Sequence, residues 1–187
     1  MQNNLYNIRN KNMKYYFKSK LRYLSKSSNI YKDVTENFLL FTVPNNHNIS
    51  FAKEIIVNGK TYKLNNQNKF NFRNNEINVA FWLINTIGGK VELRFEIGEE
   101  RNIISADYNF LSEPLDLKEI KRGASKYSFG HNVTKQAKSF IMDVTNNSNM
   151  TDELINANLE NAFNYKQDLN YIIVKRDNNL LGIYKRK

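Results

Sequence analysis

The sequence predicts an α+β protein, a mixed β-sheet flanked by helices, and three observations predict it. Lys90–Ile97 alternates strictly, Val91, Leu93, Phe95 and Ile97 against Glu92, Arg94 and Glu96, as a strand buried on one face does. Two stretches carry apolar residues at helical spacing, Ile77, Phe81 and Ile84 in the first and Ile155, Leu159 and Phe163 in the second. Between Glu54–Val57 and Lys60–Leu64 stands Asn58-Gly59, a pair suited to a two-residue hairpin turn because both positions take positive φ.

In chain order, residues 1–28 are basic and aromatic, and Met13, Phe17, Leu21 and Leu24 recur at a spacing that predicts a basic amphipathic helix. The apolar run Phe38–Val43 ends at Pro44 and, with the hairpin, makes the front of the chain β-rich. Asn65–Asn75 reads as a boundary, because asparagine side chains bond to nearby backbone and compete with regular pairing. The chain thus divides into a basic, aromatic segment over 1–64 and a second domain over 65–187.

That domain opens with a helix from Asn75 through Ile87, closed by Gly88-Gly89 and carrying Glu76 in its first turn. After Lys90–Ile97 come two strands around Asp107 and Asp116, a basic loop over Lys121–Gly130, a short helix over His131–Lys138 and a strand over Ser139–Val144. Thr151 caps a helix to about Tyr165, with Asp152 and Glu153 at its positive end. The chain closes with a hairpin of Tyr171–Val174 and Leu180–Tyr184 across Asp177-Asn178-Asn179, then a charged tail.

Composition narrows the function. Hydrophobic residues make up 41% and aromatics 13%, enough for a core and too much for a wholly disordered chain. Twenty-eight Lys and Arg against 18 Asp and Glu give a formal charge of +10, a field that attracts RNA, DNA or an acidic inhibitor protein. With no cysteine, disulfides, cysteine–zinc sites and thiol nucleophiles are excluded, so any metal must be held by oxygen or by the two histidines. No apolar run approaches the roughly 20 residues of a bilayer span. This predicts no integral membrane association, with any export signal carried on a larger parent polypeptide.

The chemistry concentrates in Ser105–Glu119. In a strand, Asp116 and Lys118 point to one side while Leu115 and Leu117 point to the other, so the apolar pair enters a core and the charged pair lines a cleft. A break at Ser112-Glu113-Pro114 folds Asp107 back alongside Asp116. Two acids and a lysine at one sheet edge suit a divalent cation bound to phosphate: carboxylate oxygens hold a hard metal, and the ammonium orients water or neutralises developing charge. Lys121, Arg122 and Lys126 of the following loop are placed to grip a phosphate backbone.

An acid in a first helix, Asp on a second strand, acid-x-Lys on a third, then a crossover helix and a fourth strand resembles the PD-(D/E)xK nuclease core. From about Ile56 to Lys187 the chain is similar to the C-terminal toxin domains of contact-dependent growth-inhibition and related polymorphic toxins. The likeness rests on Val57-Asn58-Gly59, Gly88-Gly89-Lys90-Val91, Ala106-Asp107-Tyr108, Leu115-Asp116-Leu117-Lys118, Lys135-Gln136-Ala137 before Phe140-Ile141-Met142-Asp143, and Gly182-Ile183-Tyr184-Lys185. The resemblance implies a nuclease, often acting on tRNA, delivered as part of a secreted toxin, active in the target-cell cytoplasm and neutralised by an immunity protein. By it, Asp107 and Asp116 bind magnesium or manganese, Lys118 assists water, Glu76 is the helix acid, and Lys135 with Gln136 contacts the substrate. Ala106 stands where the motif often has proline.

Two other readings compete. Many toxins of this class carry a metal-free ribonuclease fold related to barnase and the colicin nucleases, and His131, Thr134, Lys135 and Lys118 can fill its roles by activating the ribose 2′-hydroxyl. A non-enzymatic module that binds nucleic acid or a partner protein, with a vestigial nuclease core, is the alternative of a different class.

Overall fold

The computed structural model describes residues 28–41, 48–65, 72–97, 105–121, 125–133 and 137–187. The expected N-terminal helix over 13–24 and the side chains of Arg122, Thr134, Lys135 and Gln136 lie outside these residues. Ten strands and four helices are described: β1 (Tyr31–Asp33), α1 (Thr35–Phe41), β2 (Asn48–Phe51), β3 (Glu54–Val57), β4 (Lys60–Lys63), α2 (Asn74–Thr86), β5 (Lys90–Leu93), β6 (Tyr108–Phe110), β7 (Glu113–Glu119), α3 (Ser128–Asn132), β8 (Ser139–Asp143), α4 (Asp152–Tyr165), β9 (Tyr171–Arg176) and β10 (Asn179–Arg186).

Eight strands form one mixed sheet in the order β1-β10-β9-β8-β7-β6-β5-β2, and β3 with β4 makes a separate hairpin. Pairing is antiparallel from β5 through β7 and parallel from β7 through β9, each parallel step spanned by a connection that carries a helix. The expected α+β class holds, and α2-β5-β6-β7-α3-β8 is compatible with the helix, three strands, helix and strand of a PD-(D/E)xK core. Strands β1 and β2, both from before residue 65, supply the two edges of the sheet that the later residues fill.

Apolar burial explains the layering. Leu115, Ile141, Ile173 and Ile183 meet Val79, Trp82 and Leu83 of α2 on one face, with Phe38 and Leu39 of α1 packed alongside. Phe140, Met142, Ile172 and Val174 meet Phe129 of α3 and Ile155, Leu159 and Phe163 of α4 on the other. Neighbours in β7, β8 and β9 thus send alternate side chains to opposite layers, the period of two that strands impose. Ala52, Ile55 and Tyr62 close a smaller cluster over Phe95 and Ile97, so the β3–β4 hairpin covers the extended residues that follow β5.

Several expectations hold at residue level. Asn58 and Gly59 turn the hairpin at φ 52° and 78°, Thr151 accepts the Leu154 N–H at 3.3 Å, and Ile155, Leu159 and Phe163 are fully buried. Gly88, at φ 94°, ends α2 by donating its N–H to the Leu83 carbonyl at 3.1 Å.

Others are corrected. Phe38–Phe41 is helical, because Asp33 accepts the Thr35 N–H at 2.8 Å and starts α1 there. Phe81 points to solvent at 52% exposure, since α2 buries the face of Val79, Trp82 and Leu83 instead. The short helix lies over Ser128–Asn132, earlier than His131–Lys138, because the Ser128 hydroxyl accepts the Ser125 N–H and donates to the Ser125 carbonyl, which starts it there. The hairpin turn before β7 falls at Leu111-Ser112, with Glu113 and Pro114 already in the strand. The charged tail continues β10, with Arg186 donating to the carbonyls of Phe163 and Lys166.

Candidate active site

Register brings the two acids together. Tyr108 pairs with Leu115 across β6 and β7, so the next position on each strand sets Asp107 opposite Asp116, and the Arg94 N–H bond to the Asp107 carbonyl, 2.9 Å, continues the ladder on the other side. Asp107 Oδ2 accepts the Leu117 N–H at 2.8 Å, which fixes its carboxyl against β7. Leu115 and Leu117 pack toward α2, so alternation places Asp116 and Lys118 on the other face, where Lys118 Nζ lies 2.6 Å from Asp116 Oδ2.

These residues line a cavity of about 460 Å³ with Glu76, Arg73, Arg94, Glu119, Lys121 and Asn132. Several parts of the fold converge there: the N-terminus of α2, the residues just after β5, the β6–β7 hairpin and the last residue of α3. Tyr108, fully buried, donates its hydroxyl to the Glu76 carbonyl at 2.9 Å and ties α2 to the sheet beneath the acids. Asn75 bonds through its amide to Glu119 at the cavity rim. Asn147, also buried, donates to the Lys121 carbonyl at 2.8 Å and steadies the far wall.

Burial shapes the electrostatics. Asp116 is 2% exposed, and desolvation, reinforced by facing Asp107, pushes its carboxyl up to about 7 against the pull of Lys118. Asp107 is raised by burial too, held back by the Leu117 N–H, by its hydrogen bond with Asp116 and by Lys118. Burial also raises Glu76, opposed by the Arg73 N–H that its Oε2 accepts at 3.1 Å. Glu76 therefore serves as a helix cap at the mouth of the cavity as well as standing near Asp107.

The donor set fits a hard divalent cation on one specific ground. Asp116 Oδ2 is sealed from solvent and receives no well-directed hydrogen bond despite its ionic contact with Lys118. Lys118 already gives this oxygen one positive neighbour, but two facing acids share that single ammonium, a balance that a divalent cation would complete. Among the described residues no group of three His, Asp or Glu is close enough to hold a metal alone. Asp107 and Asp116 would hold it, with water and substrate phosphate completing the shell, the pattern in which magnesium binds through one or two carboxylates.

Of the other expected residues, Lys121 lines the cavity, whereas Lys126 and His131 are exposed outside its wall. Asp143, part of the Phe140–Asp143 motif, accepts from Thr145 and pairs with buried Lys175 at 2.8 Å. Arg73, Arg94 and Asn132 escaped the sequence reading. Arg94 had a signal in hindsight, as a charge on the polar side of a strand two residues past Glu92.

Comparison with known proteins identifies the same stretch. Residues 105–180 match the family of the contact-dependent growth inhibition CdiA C-terminal domain. The match covers about two fifths of the chain, from the strand of Asp107 to the start of β10, and includes Asp107, Asp116 and Lys118. This match supports the resemblance to CdiA-type C-terminal toxin domains that the short motifs suggested. CdiA C-terminal domains belong to secreted toxins delivered into target cells, are generally enzymatic, and pair with immunity proteins. No curated protein and no solved structure matches the chain. Among the described residues no helix is long and apolar enough to cross a membrane.

Proposed function

We propose that this domain is a metal-dependent endonuclease that hydrolyses phosphodiester bonds of RNA, with tRNA as its substrate class. The observation that carries the proposal is the opposition of Asp107 and Asp116, with Lys118 2.6 Å from the latter, in a cavity whose rim holds Arg73, Arg94 and Lys121. Magnesium or manganese, when bound, supplies Lewis-acid polarisation of phosphate and lowers the pKa of water. The chain does the rest. Asp107 is oriented by the Leu117 N–H, Lys118 faces the charge that develops on phosphorus, and Arg94, anchored to the Ile56 carbonyl at 3.2 Å, is positioned for a phosphate oxygen. The formal charge of +10 favours a polyanion and an acidic immunity protein as partners.

The test uses purified protein with total tRNA. EDTA stops cleavage, magnesium or manganese restores it, and Asp116→Asn lowers turnover by more than about 100-fold while RNA affinity stays within a few fold. The products carry linear phosphate ends. Cleavage that persists in EDTA and leaves 2′,3′-cyclic phosphates transfers the activity to the metal-free ribonuclease reading, and saturable binding with no strand breaks leaves only a binding module.

A further inference from the structure

Tyr127, at the N-cap of α3, and His131, in its last turn, stand four residues apart, and neither lines the cavity of acids. Their rings lie nearly parallel, 26° between planes and 6.3 Å between centroids, and Lys126 Nζ sits 5.1 Å from the Tyr127 centroid. Tyr127 is 45% exposed, and His131 and Lys126 are exposed as well. What sets Tyr127 apart from other exposed apolar residues is its company: a second ring nearly parallel to it and an ammonium beside it.

The platform is built rigidly. Ser125 Oγ accepts the Tyr127 N–H at 3.2 Å, and Ser128 Oγ accepts the Ser125 N–H at 2.7 Å while donating to the Ser125 carbonyl at 2.8 Å. Behind them buried Asn158 accepts the Phe129 N–H at 2.9 Å and donates to the Ser125 carbonyl at 3.0 Å. Asn132, the residue after His131, reaches the acid cavity. The aromatic pair thus shares its short helix with one residue of the cavity wall.

We propose that Tyr127 and His131 form a stacking platform for an unpaired base of the RNA next to the scissile phosphate, with Lys126 meeting its backbone. Unpaired bases are recognised on exposed aromatic side chains flanked by cations, and the stacking is tolerant of base identity. The platform reassigns His131 from chemistry to substrate binding. It rests on the RNA reading above, so its test is made without cleavage.

Full-length Asp116→Asn protein in EDTA is titrated with a single-stranded RNA oligonucleotide carrying 2-aminopurine, and the same oligonucleotide with an abasic residue at that position serves as the control. Wild-type stacking quenches 2-aminopurine fluorescence. Adding Tyr127→Ala weakens binding about 5- to 150-fold, the range expected for losing one base–aromatic stack. Tyr127→Phe keeps both affinity and quenching, and His131→Ala weakens binding less than Tyr127→Ala. With the abasic oligonucleotide, Tyr127→Ala makes no difference. Equal affinity of Tyr127→Ala and its parent for the fluorescent oligonucleotide overturns the platform, as does a loss that Phe fails to rescue or that the abasic RNA shares. A Tyr127→Ala defect confined to binding an immunity protein also overturns it and assigns the rings to that partner. Because this readout needs no strand scission, it can fail while metal-dependent cleavage by the wild type stands, whereas cutting of the oligonucleotide in EDTA counts against the metal-dependent reading itself.

Discussion

Asp116 stores a cost that can be measured. Its carboxyl is raised from the ordinary carboxylate range to about 7, so in metal-free protein its protonated form is the stable one up to neutrality. A raised carboxyl stabilises the fold fully below its unfolded value near 4, and that contribution is lost as pH rises toward 7. In EDTA, Asp116→Asn is therefore expected to raise the melting temperature at pH 8, by on the order of 2 kcal/mol in stability, and to change little at pH 4. A gain of equal size at both pH values would mean that the side chain's shape, not its charge, is the source. The second buried ion pair behaves differently. Lys175 is held by Asp143 and also contacts the Thr145 hydroxyl, so Asp143→Ala strands an ammonium beneath Trp82 and should cost about 3–5 kcal/mol by urea titration.

Among the elements, α3 depends on one close approach. A methyl group on Gly130 would collide with the Asn161 side chain of α4. Gly130→Ala is expected to destabilise by about 1–3 kcal/mol, and adding Asn161→Ala should recover most of it, read from thermal melts. Only the local part of this architecture was legible in the sequence. The β3–β4 turn, the Gly88 end of α2 and the Thr151 cap of α4 are set by residues within a few positions of one another, and those signals were read correctly. The turn at Leu111-Ser112 was missed because leucine rarely takes positive φ and nothing local announces it. Phe38–Phe41 was missed for another reason, since a short apolar run does not separate strand from helix by period. At the site, Asp107, Asp116 and Lys118 were legible from alternation along two neighbouring strands. Arg73 and Arg94 reach the same cavity from separate elements, through register and helix placement that no short stretch encodes.

For the whole molecule, charge predicts a strong salt response. RNA affinity of Asp116→Asn protein should fall steeply between low and physiological salt, on a logarithmic line whose slope counts the phosphates engaged, roughly 0.7 per contact for single strands. A flat dependence would deny the basic surface a part in binding. The sheet itself closes over a long sequence separation. Tyr31 pairs with Arg186 and Asp33 with Tyr184, Ile183 donates its N–H to Thr35 at 2.8 Å, and Lys187 donates to the Ile30 carbonyl at 3.0 Å. Tyr31 is further wedged between Phe163 and Tyr184. Strand β1 has no partner in the sheet until β10 is present, so a chain that emerges or is threaded with β1 first must keep that strand waiting until β10 arrives. Pairings of such long range are slow to form because the intervening loop must be closed first. Passage through a narrow pore would therefore separate the two strands of this clasp, and the edge of the sheet beside β10 would close again only once β1 and β10 were on the same side.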